Sequence, residues 1–205
     1  MTITNGYCTL AEFKAWDIVR GGGTISTDTA DDAVLEQLIE GVSRWFDTQT
    51  GRRFYKNATD EVRYFSACES NQLHVGDMAA APTTVSVDYS GTRSYTDLLG
   101  TDWEVGPENA ALDGRPYTVL YIAPLSNAYF AGWRRGVKIT GKFGFPAVPM
   151  DIKDACMATV KNVKASRAGQ SSAGRIDVTA SGVVIRPEDV PSWVNKLLES
   201  YRNPL

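Results

Sequence analysis

Apolar residues recur at three- and four-residue spacing in two separate parts of the chain, and they alternate with polar residues in the stretch between. In the first part, Leu35, Leu38, Ile39, Val42, Trp45 and Phe46 make one stripe, which predicts an amphipathic helix from about Ala30 to Thr50. Asp28, Asp31 and Asp32 lie at or before its start, where the helix dipole favours negative charge, and Gly51 stands where a left-handed cap belongs. A shorter helix precedes it. Thr9 and Glu12 have capping-box spacing, Leu10, Phe13, Ala15, Trp16 and Val19 follow, and Gly21 to Gly23 stop it.

From Phe54 the period changes. The runs "EVRYFS", "QLHV", "TTVSVDY", "DWEV", "TVLYI" and "GVKITGKF" are rich in β-branched and aromatic residues, with Gly, Pro, Asn and Asp clustered between them. They predict a small antiparallel sheet or barrel. Helical spacing returns after Pro149, which suits a first turn, with Asp151 adding charge at that end. Ile152, Ala155, Cys156, Thr159, Val160 and Val163 form the face of this helix, and Lys161, Lys164 and Arg167 gather toward its other end. A flexible "AGQSSAGR" ends it. "IDVTASGVVI" reads as extended, and Pro191 to Tyr201 as a last short helix with Trp193, Val194, Leu197 and Leu198 inside.

Neither helical part is large enough to bury a core alone, so the two stripes are expected to pair across the insertion. The predicted fold class is α+β: a discontinuous, roughly four-helix domain with an inserted antiparallel β domain and an extended C-terminal arm. The expected boundaries are 1–54 and 149–173 for the helical domain, 55–148 for the β domain and 174–205 for the arm.

Composition narrows the function classes. Twenty-one basic against 24 acidic residues give a net charge of −3, so tight nonspecific binding to nucleic acid is not expected. The three cysteines, Cys8, Cys68 and Cys156, are far apart and show no metal-site spacing, which reads as reduced thiols in a cytosolic setting. The N-terminus has no basic and apolar leader pattern, and no apolar run approaches the ~18 residues of a membrane span. "VKITGKFGFPAVPMDIKDA" holds a Gly-Lys pair, but Phe143 follows Lys142 where a P-loop needs Ser or Thr, so Gly144, Pro146 and Pro149 read as a stiff junction. His74, the single histidine, lies in an alternating strand without Cys or carboxylate neighbours. No nucleophile elbow or Ser/His/Asp arrangement stands out, and Asp31-Asp32 and Glu188-Asp189 are adjacent pairs that point different ways. Neither an enzyme nor a cofactor is expected.

The order of motifs resembles the gp6-like head–tail connector, or adaptor, proteins of tailed bacteriophages. The long helix ends in Thr50, Gly51, Arg52, Arg53 and Phe54. The strand-to-helix crossing reads Gly141, Gly144, Phe145, Val148, Pro149, Ile152, Lys153 and Ala155, and the likeness runs from "TLAEFKAW" to "LLESYRNPL". The β insertion places the chain with the longer members. The resemblance implies a structural virion neck protein, assembled in the host bacterial cytoplasm, that forms a ring of about twelve copies beneath the portal. Such a ring extends the DNA channel, lets double-stranded DNA pass without sequence-specific binding, and meets a stopper, head-completion or tail-terminator protein. A C-terminal segment reaching into the portal would correspond to about Ile176 to Leu205 here.

Three groups are candidates for contact. Arg52 and Arg53 suit either the dipole at the helix end or a bond to a neighbouring subunit or the portal. "YFAGWRRG" carries Trp133, Arg134 and Arg135, residue types common at binding hot spots, and reads equally as a stacked, solvated turn. The arm offers Val183, Val184, Ile185, Trp193, Leu197, Leu198 and Tyr201 as an apolar anchor. Two other readings stay open. One is a stopper or tail-completion protein, and the other is a ligand-binding β module, suggested by Trp103, Trp133 and the Tyr-rich strands.

Overall fold

The computed structural model describes residues 3–21, 29, 31–169, 178–179, 182–183, 185 and 189–202. The chain divides into two compact units, Met1–Arg52 with Val148–Leu205, and Arg53–Ala147.

The first unit is helical: α1 (Leu10–Gly21), α2 (Asp32–Thr50), α3 (Met150–Gly169) and α4 (Ser192–Tyr201). The expected capping box opens α1, with the Glu12 amide donating to Thr9 Oγ1 at 3.2 Å and the Thr9 amide donating to Glu12 Oε2 at 2.7 Å. Gly51 closes α2 in the left-handed conformation (φ 67°), its amide bonded to Asp47 O. The stripes meet as the spacing predicts. Leu35, Leu38, Ile39, Val42 and Phe46 of α2, and Ile152, Ala155, Cys156, Thr159, Val160 and Val163 of α3, are all buried. Trp45 is the exception, half-buried at the edge.

Ser43 ties three parts of this unit together. Its hydroxyl donates to Ile39 O (2.7 Å), accepts the Tyr7 amide (2.9 Å), and lies 3.7 Å from Cys156 Sγ on α3. A buried hydroxyl that meets all its partners adds specificity to an otherwise apolar interface. The Cys8 thiol contacts that of Cys156; this hydrogen bond, together with burial, pushes its pKa far up, so both sulfurs behave as core packing atoms. Salt bridges cover the rim: Lys14 to Asp32 at 2.5 Å, and Lys153 to Glu12 at 2.7 Å. A small hairpin, β8 (Val178–Thr179) and β9 (Gly182–Val183), belongs to this unit and touches α2.

The second unit holds seven strands: β1 (Glu61–Phe65), β2 (Gln72–Met78), β3 (Thr84–Val87), β4 (Thr96–Asp97), β5 (Trp103–Gly106), β6 (Tyr117–Ile122) and β7 (Val137–Gly141). Each of the six expected runs coincides in large part with one, and β4 is an addition. They form two antiparallel sheets, ordered β1-β7-β3-β4 and β2-β6-β5, joined by a bridge between Met78 and Phe143. The sheets share one core, to which Leu73 and Val75 come from β2, Val85 and Val87 from β3, Leu120 from β6, and Val137 and Ile139 from β7. Strand β2 runs past the expected "QLHV" through Gly76, whose φ of 70° absorbs a register shift between His74 and Met78. His74 is exposed, its Nε2 3.1 Å from Nε2 of the Gln72 side chain.

The two ends of this unit return to one place. The Phe54 ring packs on Phe145 with centroids 4.9 Å apart, the Asn57 amide bonds to Phe143 O, and the Gly144 amide bonds to Asp77 O. Gly144 has φ 104°, and a Cβ there would lie 1.9 Å from Tyr55 O, inside any allowed contact. Glycine is therefore required at 144 for two independent reasons. At Gly51 only the dihedral asks for it, since a Cβ would meet nothing within 4 Å. Gly144→Ala should destabilise the protein by about 3 kcal/mol, and Gly51→Ala by about 1 kcal/mol, as read by urea unfolding. Equal losses would show that the Tyr55 carbonyl moves aside without cost.

Candidate interaction surfaces

In the β unit, the loop before β7 is fixed from within. Phe130 and Ala131 are buried, and the Phe130 amide donates to Ser70 O at 2.7 Å. Gly136 turns the chain into β7 where a Cβ would meet Ala131 O at 2.5 Å. Between these anchors Trp133 stands 54% exposed. Arg135 has a left-handed backbone (φ 61°), and its amide is held by Ser66 Oγ at 3.0 Å.

Three other segments converge on this loop. The Arg135 guanidinium lies 4.2 Å over the Tyr64 ring of β1, which itself is 42% exposed. Tyr64 packs on Tyr95 at 5.8 Å, and Lys138, opposite Tyr64 in the β1–β7 pair, sits 5.2 Å over Tyr95. The Tyr95 hydroxyl donates to Arg135 O at 2.8 Å, and Arg93 donates to Arg134 O. Arg93 is the other non-glycine residue with positive φ among the described residues (70°). Among the described residues, none of Arg93, Arg134, Arg135 and Lys138 pairs with a carboxylate. The sequence pointed to Trp133, Arg134 and Arg135 but not to Tyr64, Arg93, Tyr95 and Lys138, whose convergence depends on strand register.

Asp88 builds the turn that delivers Arg93. Its carboxylate accepts from the amides of Ser90, Gly91 and Arg93 and from the Ser90 hydroxyl. Burial works against its charge, but these bonds outweigh it and hold its pKa below the usual 3.8.

Arg53 is occupied within the same unit. It bonds Glu61 at 3.3 Å and lies 5.6 Å over the Tyr55 ring; burial opposes its charge, yet Tyr55 and Glu61 raise its pKa further. Glu61 also binds Arg63 at 2.7 Å, and Arg63 covers Phe143 at 3.9 Å. Arg52 belongs to the helical unit, where it donates to Tyr201 O at 3.5 Å. The two adjacent arginines therefore serve different units.

A second feature of the β unit is apolar. Leu99 and Leu125 are 69% and 99% exposed on two turns that Asp102 clamps together, accepting from the Leu99 amide (2.9 Å) and the Ser126 hydroxyl (2.8 Å). No periodic signal in the sequence marked this pair.

In the helical unit, α4 packs inward through Val194 and Leu198, which are buried, while Leu197 and Tyr201 are half-buried. Trp193, one of the anchor candidates, is 46% exposed, because it lies one residue off the stripe that Val194 and Leu198 form. The Tyr201 hydroxyl donates to both Asp151 oxygens at 3.0 and 3.1 Å. Val183 pairs with Val178 in the β8–β9 hairpin and Ile185 is half-buried; Val184 lies outside the described residues. Trp193, Trp16, Asp151 and Asp154 line a cleft of about 410 Å³. Asp154 makes no hydrogen bond or ion pair among the described residues. No helix among the described residues is long and apolar enough to cross a membrane, and no group of three His, Cys, Asp or Glu side chains among them could hold a metal.

No protein-family model matches the sequence, and no curated protein matches it. A solved structure does. The "Neck of empty GTA particle computed with C6 symmetry" contains a chain that aligns over 100% of this one and 94% of its own length, with TM-score 0.54 and 18% identity. The two chains share a fold across both units.

The geometry at Asp88 yields a pH prediction. Its pKa is lower in the folded than in the unfolded state, so its contribution is complete above about pH 3.8 and is lost as pH falls through the folded value. Asp88→Asn should lower the thermal midpoint at pH 7, with the gap to wild type closing as pH drops below that range. A gap independent of pH would show that the turn depends on shape rather than charge.

Proposed function

We propose that this protein is a structural component of the neck of a tailed phage or phage-like particle. The single observation that carries this reading is the whole-chain match to a chain of a GTA particle neck, helical unit and β unit together. Matching only one unit would have been a weaker guide, since each belongs to a common class of architecture.

Within the neck, the role is that of an adaptor ring beneath the portal, extending the DNA channel and joining the head to the stopper or tail protein. The surface chemistry supports a part that works by contact. Large side chains such as Trp133, Trp193, Leu99 and Leu125 are exposed on segments held rigid by internal hydrogen bonds. A net charge of −3 suits a channel through which double-stranded DNA slides, because strong phosphate binding would arrest it. The protein acts in the virion, without catalysis.

Portal anchorage is assigned to the region that begins at Val183, Val184 and Ile185 and continues to the exposed face of α4. Val194 and Leu198 belong to the core of their own chain. Trp193 is the exposed member and the hot-spot residue type.

Native mass spectrometry of the full chain mixed with its cognate portal ring tests the role. The expected result is a closed ring of copies on each portal, with Trp193→Ser weakening binding at least about tenfold. Saturated binding by the variant would move the anchor off α4. No binding at high micromolar concentration would overturn the adaptor role in favour of a stopper or tail-completion protein.

A further inference from the structure

The β unit and the helical unit each expose a feature that the chain leaves uncompensated, and the two are opposite in charge. On the β unit, Arg93, Arg134, Arg135 and Lys138 gather without any carboxylate partner. Their backbone and side chains are held in place. Arg93 and Arg135 sit at φ 70° and 61°, and Arg135 and Lys138 lie over Tyr64 and Tyr95. Positive φ at a non-glycine residue persists where the surroundings over-determine it, and such positions cluster at recognition surfaces. Four positive charges brought together repel one another, so a chain that fixes them in one place gains from an acidic partner. Arg134 is exposed, and its side chain makes no hydrogen bond, ion pair or ring contact among the described residues.

On the helical unit, the cleft between Trp16 and Trp193 carries Asp151 and Asp154. Asp151 is engaged by Tyr201 and by the Ile152 amide at 2.8 Å, whereas Asp154 makes no bond. Indole faces attract cations, and an unpaired carboxylate beside them supplies the hydrogen-bond acceptor that a guanidinium fits. Trp16 already receives one cation within the chain, Lys161 Nζ at 5.9 Å from its ring. The cleft is thus suited to an arginine side chain.

We propose that the basic and aromatic patch around Arg134 on one copy docks on the Asp154 cleft of the next copy. The occupant of each surface is therefore a second copy of this chain. The complementarity favours this partner: the patch lacks the carboxylate that the cleft leaves spare, and the cleft lacks the cation that the patch presents. Joining two different surfaces gives a head-to-tail contact, the type from which rings close, whereas a two-fold contact would stop at a dimer. The inference rests on the ring reading of the neck and adds the faces that form it.

Charge reversal at the two unpaired side chains tests it. Arg134→Glu and Asp154→Arg remove no internal bond, so both variants should keep the wild-type thermal midpoint. Each alone should assemble on the portal ring, or self-associate at high concentration, at least about tenfold less well than wild type. An equimolar mixture should recover assembly, with the two variants alternating around the ring, because each altered face then meets an altered partner. The double variant in one chain should recover it too.

Folded variants that assemble like wild type, or that both fail without rescue in the mixture, would overturn the proposed faces while leaving the neck role standing. So would an Arg134→Glu variant that assembles normally but loses retention on a duplex DNA column, since the patch would then serve phosphates. A wild-type chain that contacts no second copy, alone or on the portal, would overturn the faces and the ring together.

Discussion

The helical core can close only if the β unit returns the chain to where it left. Its buried face is built from α2 on one side and α3 on the other, with the whole β unit between them in sequence. Linking distant segments through a flexible loop costs entropy that rises slowly, about 0.6 kcal/mol per doubling of length. A folded insertion removes much of that cost when its own ends are already adjacent. Here the contact of Phe54 with Phe145 brings the entry and exit segments of the β unit together, supported by the Asn57–Phe143 and Gly144–Asp77 hydrogen bonds. The ring pair itself contributes only about 0.5–1.5 kcal/mol beyond its burial. Its effect is larger because it fixes the points between which the helices must pair.

Stability and recognition draw on different residues. The core of each unit is nearly all apolar, and the buried Ser43, Thr50, Ser86, Asp88 and Thr159 side chains are hydrogen-bonded. The exposed residues are held by local devices that leave the cores alone. Asp88 shapes the Arg93 turn, Asp102 clamps the Leu99 and Leu125 turns, and Gly136 bends the chain after Trp133. Loops can therefore be stiff without contributing much to folding. Stiffness matters for a contact surface, because side chains already fixed lose less entropy on docking.

Much of this was legible in the sequence. The Thr9–Glu12 spacing, the stripes of α2 and α3, and the six β runs follow from local chemistry with short periods, and the stripe residues other than Trp45 are buried as the pattern places them. Strand β4 was not legible, because two residues carry no period. The extent of β2 was hidden by Gly76, which reads as a terminator but serves as a bulge. In the short helix α4 one residue off the stripe is the difference between core and solvent: Val194 is buried and Trp193 is exposed. The interaction surfaces were legible only in part. "GWRRG" was conspicuous as a run, but Tyr64, Arg93, Tyr95 and Lys138 lie on other segments and meet it through the β1–β7 register and the Asp88 turn. That adjacency is tertiary. No window of sequence contains it.

The same division explains how a chain can keep a fold and lose its sequence signature. At 18% identity, the GTA neck chain shares a fold with this one while most residues differ. Cores tolerate simultaneous apolar exchange when volume and pattern are preserved, so a stripe such as Leu35 to Phe46 can be rewritten without altering which faces meet. Positions bound by steric exclusion have no such freedom. At Gly144 the Tyr55 carbonyl lies where any Cβ would go, and at Gly136 the Ala131 carbonyl does. Contact residues lie at the other extreme, because an interface survives change on one face if the opposing face changes with it. Among chains of this fold, the strand-to-helix crossing around Gly144 should therefore stay most constant, and the charges of Arg134 and Asp154 should vary most freely as long as they vary together.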